Sequence, residues 1–396
     1  MDRRDRRIVF FYSNALPEAV RVRRGIVTDS PAATRKILAM GRALRTAGAR
    51  AIVVSMARGP GRGGRFHRGG ITRVGGVPVV YGPLWDVPVA SQLLSALWLA
   101  WFAWRVAHRS RGVRHLFYNQ MSLYLPALHA LTLRRAAISV DIEDGPLSAS
   151  EAAYSRRGTD ASAAFARYAT HGAILATTRL AQGTPIRPVQ TCYGAVPEPV
   201  AIRPERFADG PLCVMLAGFI NQDTGQTQFE AALEQMRALR DPAFDQLRFE
   251  IAGAGPGIDA LRRFEDGACP DVRIHGRLDA AGYAALLGRA HVGLSLKPVG
   301  GGVSETTFPS KTVEIAENGL ALIATDISDV KAVFGDAAWY LETTDPNELV
   351  ACIRRAATDR ATVLQLAMAG QRRMIENLSY HAVGRTLSNF LYGGTA

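Results

Sequence analysis

Two hydrophobic periods alternate along the first half of the chain. Residues 8–12 and 51–55 are short apolar runs, the pattern of buried strands. Between them, residues 31–47 repeat apolar positions at helical spacing and stop at Gly48. This order predicts a βαβ unit, the building block of parallel sheets. Further predicted strands are 116–118 and 138–142, and further predicted helices are 88–108 and 124–134.

The second half repeats this alternation after a proline-rich segment at residues 185–211. The predicted strands are 212–217, 247–252, 272–275, 292–296 and 320–324, and the predicted helices are 224–239, 258–264, 280–289, 346–357 and one from 363 to around 391. Strands that each precede a helix predict a second parallel sheet. We therefore predict an α/β protein with Rossmann-like domains at 1–195 and 196–375. A C-terminal helix at 376–396 is expected to pack back towards the first domain.

The composition is that of a folded protein with an uneven charge. Hydrophobic residues make up 48% of the 396 residues and charged residues 21%, enough for two cores. Residues 1–200 contain 28 Lys and Arg against 11 Asp and Glu, whereas residues 201–396 contain 19 against 24. The basic first half predicts a negatively charged binding partner, either an anionic surface or an anionic acceptor. A general arginine bias of the proteome is the alternative.

A helix with three tryptophans lies inside the basic half. Trp98, Trp101 and Trp104 follow one another at three-residue spacing and lead into Arg105. Tryptophans that end in basic residues are typical of a helix at a bilayer interface. An ordinary buried helix between two strands is the alternative.

The lengths of the apolar runs and the spacing of the cysteines bear on the cellular location. The run at residues 8–12 is too short for a signal peptide, and no uninterrupted run of 18 apolar residues occurs. The cysteines are Cys192, Cys213, Cys269 and Cys352. Their wide spacing predicts buried thiols in a reducing cytoplasm, not disulfides or zinc ligands. We expect a cytoplasmic protein, with peripheral contact to the inner face of the cell membrane as a further hypothesis.

Residues 308–326 hold the most informative motif. Pro309-Ser310 predicts a helix start with Ser310 as the N-cap, and Asn318-Gly319 predicts the helix end. Lys311 and Glu314 are three residues apart and share one helical face. The helix N-terminus beside them presents N–H groups that attract anions. A cation, a helix dipole and a carboxylate together suit a nucleotide diphosphate and a ribose.

Polar and glycine residues follow most of the predicted strands of the second half. They are Gly218 and Asn221, the run Gly253-Ala-Gly-Pro-Gly257, the run Gly276-Arg277-Leu278, and Lys297 with the loop that leads to Glu305. Ligands of open parallel sheets bind beyond the carboxyl ends of the strands. These loops are therefore candidates for ligand contact.

In this order, the loops and the 308–326 motif resemble the donor domain of retaining GT-B glycosyltransferases of family four. The resemblance covers roughly residues 212–375, and the first half resembles the acceptor domain more loosely. It implies the GT-B fold, with two Rossmann-like domains facing each other across a cleft, and a nucleoside-diphosphate sugar as co-substrate. It implies that Glu314 binds the donor ribose. The further implied donor contacts are Ser310, Gly218, Asn221, Arg277 and Leu278.

The donor domain departs from the family pattern at two places. The first glutamate of the Glu-x7-Glu pattern falls at Thr306, so we expect the adjacent Glu305, or Thr306 itself, to contact the transferred sugar. The basic residues that usually follow the first strand of the donor domain are absent after Gly218. We therefore expect Lys311, and with it Lys297, to hold the departing diphosphate, where a positioned cation stabilises developing charge.

Candidate acceptor residues lie in the first half. Glu143 and Asp144 follow the predicted strand at 138–142 and are expected to orient an acceptor hydroxyl, with helix capping by Asp144 as the alternative. Ser30 begins a predicted helix and is a further candidate on the acceptor side. We find no isolated DxD loop of the metal-dependent type and expect neither a metal ion nor a cofactor besides the co-substrate.

These features together predict a hexosyltransferase. The expected reaction moves a hexose from a nucleoside-diphosphate sugar to a hydroxyl of a glycan or polyprenyl-linked acceptor, with retention. The expected setting is bacterial surface polysaccharide synthesis, including exopolysaccharides. A catalytically silent relative that binds a nucleotide sugar or serves as a scaffold is the alternative. Nucleic acid is not an expected partner, because no RNA-recognition motif or helix-turn-helix is evident.

Overall fold

The computed structural model describes residues 7–26, 31–56, 63–107, 112–143, 156–199, 201–208, 210–300 and 302–393. Backbone contacts divide the chain into two compact units. The first unit is Met1–Pro197 together with Leu378–Ala396, and the second unit is Glu198–Asn377.

The first unit begins with a βαβ arrangement. Its strands are β1 (Ile8–Ser13), β2 (Arg50–Ser55), β3 (Phe66–His67), β4 (Gly70–Val74), β5 (Val77–Tyr81), β6 (Leu84–Trp85), β7 (Val113–Tyr118), β8 (Ile138–Ile142), β9 (Ala173–Leu175) and β10 (Val189–Thr191). Its helices before the second unit are α1 (Glu18–Arg23), α2 (Pro31–Thr46), α3 (Pro88–Val106), α4 (Leu125–Leu133), α5 (Arg156–Tyr168) and α6 (Leu180–Gly183), with a 3₁₀ turn at Ser122–Tyr124.

Eight of these strands form one sheet in the order β10-β9-β8-β7-β1-β2-β5-β4. Only β4 runs antiparallel to its neighbour, and β3 pairs with β6 in a separate ribbon. The apolar β1 is central, and Phe11 and Tyr12 are fully buried. Tyr12 stacks on Phe117 with ring centroids 4.6 Å apart, and Phe165 meets Phe117 edge-on. Aromatic packing therefore joins the sheet to its helices.

Several elements of the first unit escape sequence analysis. Strands β4 and β5 form an antiparallel hairpin, and β9 and β10 are only three residues long. Strand β10 lies inside the proline-rich segment at residues 185–211. A three-residue strand is too short to show a period, so only pairing in the folded sheet reveals it.

The second unit is an all-parallel Rossmann-like sheet. Its strands are β11 (Leu212–Phe219), β12 (Leu247–Ala254), β13 (Asp271–Gly276), β14 (Val292–Ser295), β15 (Ala321–Thr325) and β16 (Ala338–Leu341). Its helices are α7 (Gln226–Leu239), α8 (Gly257–Leu261), α9 (Ala280–Arg289), α10 (Gly302–Thr306), α11 (Ser310–Glu317), α12 (Val330–Phe334), α13 (Pro346–Thr358) and α14 (Arg360–Leu378). The 3₁₀ turns are Pro204–Phe207, Gln222–Thr224, Pro242–Phe244 and Arg262–Phe264.

The strand order of the second unit is β13-β12-β11-β14-β15-β16. The order reverses between β11 and β14, which makes this the switch point where ligands bind in such sheets. Gly293 of β14 lets α11 pack closely, because a β-carbon there would lie 2.5 Å from Cγ1 of Ile315. The sheet and α11 are therefore held together directly beside the switch point.

The buried His291 of the second unit has a hydrogen-bond partner at each ring nitrogen. His291 Nδ1 accepts a hydrogen bond from the Cys213 N–H at 2.9 Å, and its Nε2–H donates to the Arg206 carbonyl at 2.6 Å. Burial lowers the pKa of His291 to about 4 and keeps the ring neutral. The expectation of four buried cysteines is wrong for Cys269, which is exposed, and Cys352 is half-buried.

The predicted single helix from 363 to around 391 is wrong. Helix α14 ends at Leu378, and Ser379 caps a separate helix, α15 (Tyr380–Tyr392), by accepting a hydrogen bond from the Ala382 N–H at 3.3 Å. Helix α15 packs on α2 of the first unit, where a β-carbon at Gly384 would lie 2.1 Å from the Ala43 carbonyl. The apolar spacing continues through the break without Gly or Pro, so the sequence pattern hides it.

Candidate functional site

A cavity of about 190 Å³ lies at the switch point of the second unit. Its walls come from the end of β11, the end of β14 and the segment that enters α11. The lining residues are Leu216, Ala217, Gly218, Phe219, Ile220, Thr224, Leu294, Ser295, Leu296, Lys297, Thr307, Phe308, Pro309, Ser310 and Lys311. The predicted contacts Gly218, Lys297, Ser310 and Lys311 are therefore brought together at one place.

Lys311 and Glu314 form an ion pair on α11, and a tyrosine joins them. The Lys311 ammonium pairs with Glu314 Oε2 and donates a hydrogen bond to the Tyr283 hydroxyl at 3.0 Å. That hydroxyl in turn donates to Glu314 Oε2 at 2.9 Å. The side chains of Lys311 and Glu314 are 30% and 20% exposed. A ligand that enters this corner meets a cation and a carboxylate that are paired with each other.

Glycines let the loop after β11 approach its neighbours closely. Gly218 has a φ of +129°, and a β-carbon there would lie 3.3 Å from Cε of Lys311. A β-carbon at Gly253 would lie 1.8 Å from the Gly218 carbonyl oxygen, and one at Gly255 would lie 2.3 Å from the Ile220 oxygen. The run Gly253-Ala-Gly-Pro-Gly257 thus supports the wall of the cavity from behind.

We expect Gly253→Ala to lower the free energy of unfolding of the second unit by about 3 kcal/mol or more. The new methyl would overlap the Gly218 carbonyl, and the φ of +145° strains a residue with a β-carbon. Hydrogen exchange of peptides from β11 and β12 measures this loss.

Gly288→Ala is the matched control. Gly288 lies in α9 with no neighbouring atom within 4 Å of a β-carbon among the described residues. Alanine there is expected to be neutral or to stabilise by up to about 1 kcal/mol. Equal protection of β11 and β12 in both variants would contradict the close approach at Gly253.

The start of α11 differs in detail from the prediction. Helix α11 begins at Ser310 itself, with Pro309 in the N-cap position and no side-chain cap. Ser310 as N-cap is therefore wrong, because Thr312 makes the local hydroxyl contact by donating to the Pro309 carbonyl at 2.7 Å. The predicted helix end at Asn318-Gly319 is confirmed, since α11 ends at Glu317 and Gly319 has a φ of +66°.

The other predicted donor residues do not line the cavity. Glu305 and Thr306 end the short helix α10, and it is the next residue, Thr307, that faces the cavity. The Thr307 hydroxyl is buried and has no hydrogen-bond partner among the described residues. Arg277 and Leu278 follow the edge strand β13, which β12 separates from the switch point.

Asn221 serves the loop after β11. It caps the 3₁₀ turn at Gln222–Thr224 with a capping box, in which its backbone N–H donates to Thr224 Oγ1 at 3.0 Å and the Thr224 backbone N–H donates to the Asn221 side chain. Such reciprocal bonds satisfy groups left open at a helix start. Asn221 therefore shapes the cavity wall and does not itself line the cavity.

A second charged cluster lies in the first unit and includes the predicted acceptor residue Glu143. Lys36 of α2 pairs with the Glu143 carboxylate, and its Nζ lies 4.0 Å from Oδ1 of Asp141 on β8. The Asp141 side chain is completely buried. The other first-half candidates, Ser30 and Asp144, lie outside the described residues.

Burial and the opposing charges shift the titration of this cluster. Burial raises the pKa of Asp141 well above its ordinary value, Lys36 opposes the shift, and Glu143 adds to it. Burial alone would lower the pKa of Lys36, but the carboxyls of Asp141 and Glu143 outweigh it and raise that pKa. Burial also raises the pKa of the neighbouring Cys192 thiol to about 11. At neutral pH the cluster holds a protonated lysine and a thiol that stays neutral.

Comparisons with known proteins match these two units. The family model described as glycosyl transferase-like matches residues 226–389, whereas no curated protein matches the chain. The trehalose-6-phosphate synthase OtsA superposes with a TM-score of 0.69 at 11% identity, covering 97% of this chain and 98% of that chain. HepE of Anabaena in complex with UDP superposes with a TM-score of 0.65 at 14% identity, covering 98% of this chain and 100% of that one.

A further match is a trehalose-6-phosphate synthase studied with bisubstrate glycomimetics of glycosyl transfer with retention. Its TM-score is 0.64 at 12% identity, and the match covers 98% of this chain and 99% of that chain. The chain therefore shares its fold with these solved structures. The predicted GT-B fold is thereby confirmed.

Three candidate residues carry no motif in the sequence that marks them as part of a site. Tyr283 sits mid-helix in α9, Thr307 stands beside the position where the family glutamate was sought, and Lys36 is remote in sequence from Asp141. Lys36 is one of only four lysines in the chain. That rarity is the single clue that could have drawn attention to it.

Proposed function

We propose that the protein transfers a hexose from a nucleoside-diphosphate sugar to a hydroxyl of a glycan or lipid-linked acceptor, with retention. The observation that carries the proposal is the cavity at the switch point, where Lys311 stands at the start of α11 beside Glu314. The similar HepE structure contains UDP, and the similar trehalose-6-phosphate synthase was described for transfer with retention.

The donor would be held by two side chains on one face of α11, Glu314 and Lys311. The carboxylate of Glu314 can accept hydrogen bonds from two neighbouring ribose hydroxyls. Lys311, the first N–H groups of α11 and Lys297 would then face the diphosphate. Donor binding must draw Lys311 away from Glu314, because the two are paired with each other and with Tyr283 in the structure.

The reaction breaks the bond between the sugar C1 and the diphosphate oxygen and forms a bond from C1 to the acceptor oxygen. Negative charge grows on the departing diphosphate as the first bond opens, and Lys311 stabilises that charge. The acceptor hydroxyl loses its proton to the departing diphosphate. We expect transfer to continue in the presence of EDTA, since these cations replace a metal ion.

The acceptor would meet the first unit. Glu143 lies just after β8, at the carboxyl edge of the parallel sheet, where ligands of such sheets bind. Its carboxylate, held by Lys36, is suited to accept a hydrogen bond from an acceptor hydroxyl. We place this reaction in bacterial surface polysaccharide synthesis, in the cytoplasm.

Binding of a nucleoside diphosphate tests the donor site before any acceptor is known. UDP, GDP and ADP are added separately, and the thermal unfolding temperature is measured. A ligand at a hundred times its Kd stabilises the folded state by about 2.7 kcal/mol. We expect one of the three to stabilise the protein and Glu314→Gln to remove most of that effect.

Glu317→Gln is the matched control for this experiment. Glu317 lies on the same helix, one turn further on, and does not line the cavity. Stabilisation by none of the three diphosphates, or equal stabilisation in both variants, would contradict the proposed donor site.

A catalytically silent nucleotide-sugar-binding protein is the second candidate. It is favoured by Thr306, which stands where the family carries a glutamate, and by the mutual pairing of Lys311 and Glu314. Binding of a diphosphate without release of sugar from a panel of donors and acceptors would identify this role.

A further inference from the structure

Helix α3 presents large apolar side chains to solvent along one face. Val89, Leu93, Leu97 and Trp101 follow one another at four-residue spacing and are 69%, 60%, 66% and 59% exposed. Trp104 continues the row and is 44% exposed. Residues four apart lie on one side of a helix, so these five side chains form a single stripe.

The opposite face of α3, which packs inward, contains two buried serines. Ser91 and Ser95 are buried, and neither hydroxyl has a hydrogen-bond partner in the described part of the chain. Leu99 and Ala103 complete this inner face. A helix that meets only water on its outer side normally buries its leucines and tryptophans and exposes its serines. Helix α3 packs Trp98 and Phe102 against the core and yet exposes a second row of leucines and tryptophans on its outer side.

The stripe extends beyond α3 at both of its ends. Before the helix, Trp85 of β6 pairs with Phe66 of β3, and both are exposed. After the helix, the Arg134 guanidinium lies 4.0 Å over the Trp104 ring, beside Leu133, which is 75% exposed. We call this surface the apolar platform: Phe66, Trp85, Val89, Leu93, Leu97, Trp101, Trp104 and Leu133.

Arginines border the apolar platform. The exposed ones are Arg65 and Arg68 near the β3 end, and Arg105, Arg134 and Arg135 near the α4 end. Between residues 63 and 107 the sequence has one acidic residue, Asp86, which is half-buried. The platform therefore has a positive rim.

We propose that the apolar platform docks on the surface of an anionic phospholipid bilayer. Leucine and tryptophan side chains would enter the boundary between headgroups and acyl chains, and the arginines would meet lipid phosphates. No helix in the described residues is long and apolar enough to cross a membrane. The proposal does not rest on the proposed glycosyl transfer.

Charge favours a bilayer over a second copy of the chain. Two apolar platforms facing each other would bring two arginine rims together, and like charges at an interface oppose association. Anionic headgroups neutralise the same rim, and each basic residue near such a surface adds to the attraction.

Flotation with vesicles tests the docking. The full chain is mixed with vesicles of phosphatidylcholine alone or of phosphatidylcholine with phosphatidylglycerol. We expect binding to the anionic vesicles, weakened by salt, and a blue shift of tryptophan fluorescence. Leu97→Glu/Trp101→Glu is expected to lower the partition coefficient at least about tenfold, because two buried apolar groups become anions that the lipids repel.

Met368→Glu/Ile375→Glu is the matched control. Both residues are exposed apolar side chains of α14, each 46% exposed, and lie outside the platform. Both double variants replace exposed residues, so their unfolding temperatures should match that of the natural protein, which separates lost binding from lost folding.

Three outcomes would overturn the proposal. The natural protein could fail to float with anionic vesicles, or both double variants could bind equally well. Analytical ultracentrifugation could also reveal a dimer that Leu97→Glu/Trp101→Glu dissociates, without any vesicle binding. That result would assign the platform to a second copy of the chain.

Discussion

Replacement of Lys311 by methionine is expected to lower kcat for sugar transfer by about 10²- to 10³-fold. The methionine keeps most of the apolar stem but removes the cation that faces the cavity at the switch point. Charge on the departing diphosphate is larger in the transition state than in the bound donor. The loss should therefore appear mainly in kcat and less in the donor KM.

Release of nucleoside diphosphate from the donor gives the rates for this comparison. Lys331→Met is the matched control, because Lys331 is a surface lysine whose Nζ lies 3.4 Å from Asp326 and whose side chain is 57% exposed. It should retain the natural rate. Tyr283→Phe should fall between the two, since it removes the hydroxyl that positions both Lys311 and Glu314. Natural turnover in Lys311→Met would exclude this lysine from the reaction.

Replacement of Lys36 by methionine is expected to lower the free energy of unfolding of the first unit by about 3 kcal/mol. The side chains of Lys36 and Glu143 are only 14% and 15% exposed, and the Asp141 side chain is completely buried. Without the ammonium, the Glu143 carboxylate stays poorly hydrated and loses its partner. The cost of an uncompensated buried charge exceeds that of removing an exposed pair.

Hydrogen exchange of peptides from β8 measures this effect locally, which avoids assuming that a chain of two units unfolds in one step. Lys36→Met/Glu143→Gln should recover most of the lost stability, because it removes the orphaned charge together with its partner. Lys331→Met should change exchange by less than about 1 kcal/mol. If the double variant proved as unstable as Lys36→Met, the pairing of Lys36 with Glu143 would not be the cause.

The sequence determined most of the parallel strands and their helices. Strand β8 and helix α9 lie at the residues predicted for them, and β1, β11 and β14 differ from their predicted ranges by one or two residues. These segments combine a clear period with turn residues at their ends, and both signals are local. Local signals also identified Lys311 and Glu314. The helix start before Lys311 and the three-residue spacing to Glu314 can both be recognised in the sequence alone.

Tertiary structure decided which of the remaining residues meet. Tyr283 of α9 meets Lys311 of α11, and Lys36 of α2 meets Asp141 of β8, only because folding brings these elements together. Arg277 was expected at the donor site, yet the strand order places its loop beside an edge strand. Strand order follows from pairing between distant segments, which the spacing of a single segment does not encode.

Helix α3 also shows that the sequence predicts an element and that packing decides which of its residues are exposed. The sequence supplied an apolar helix with three tryptophans, and its composition was compatible with a buried helix and with a helix at a bilayer surface. The rotation of α3 against α4 and β6 decides which of its residues face the sheet. In this rotation two serines are buried, and leucines and tryptophans at four-residue spacing are exposed. A helix has one period but many possible rotations, and only packing against its neighbours selects one.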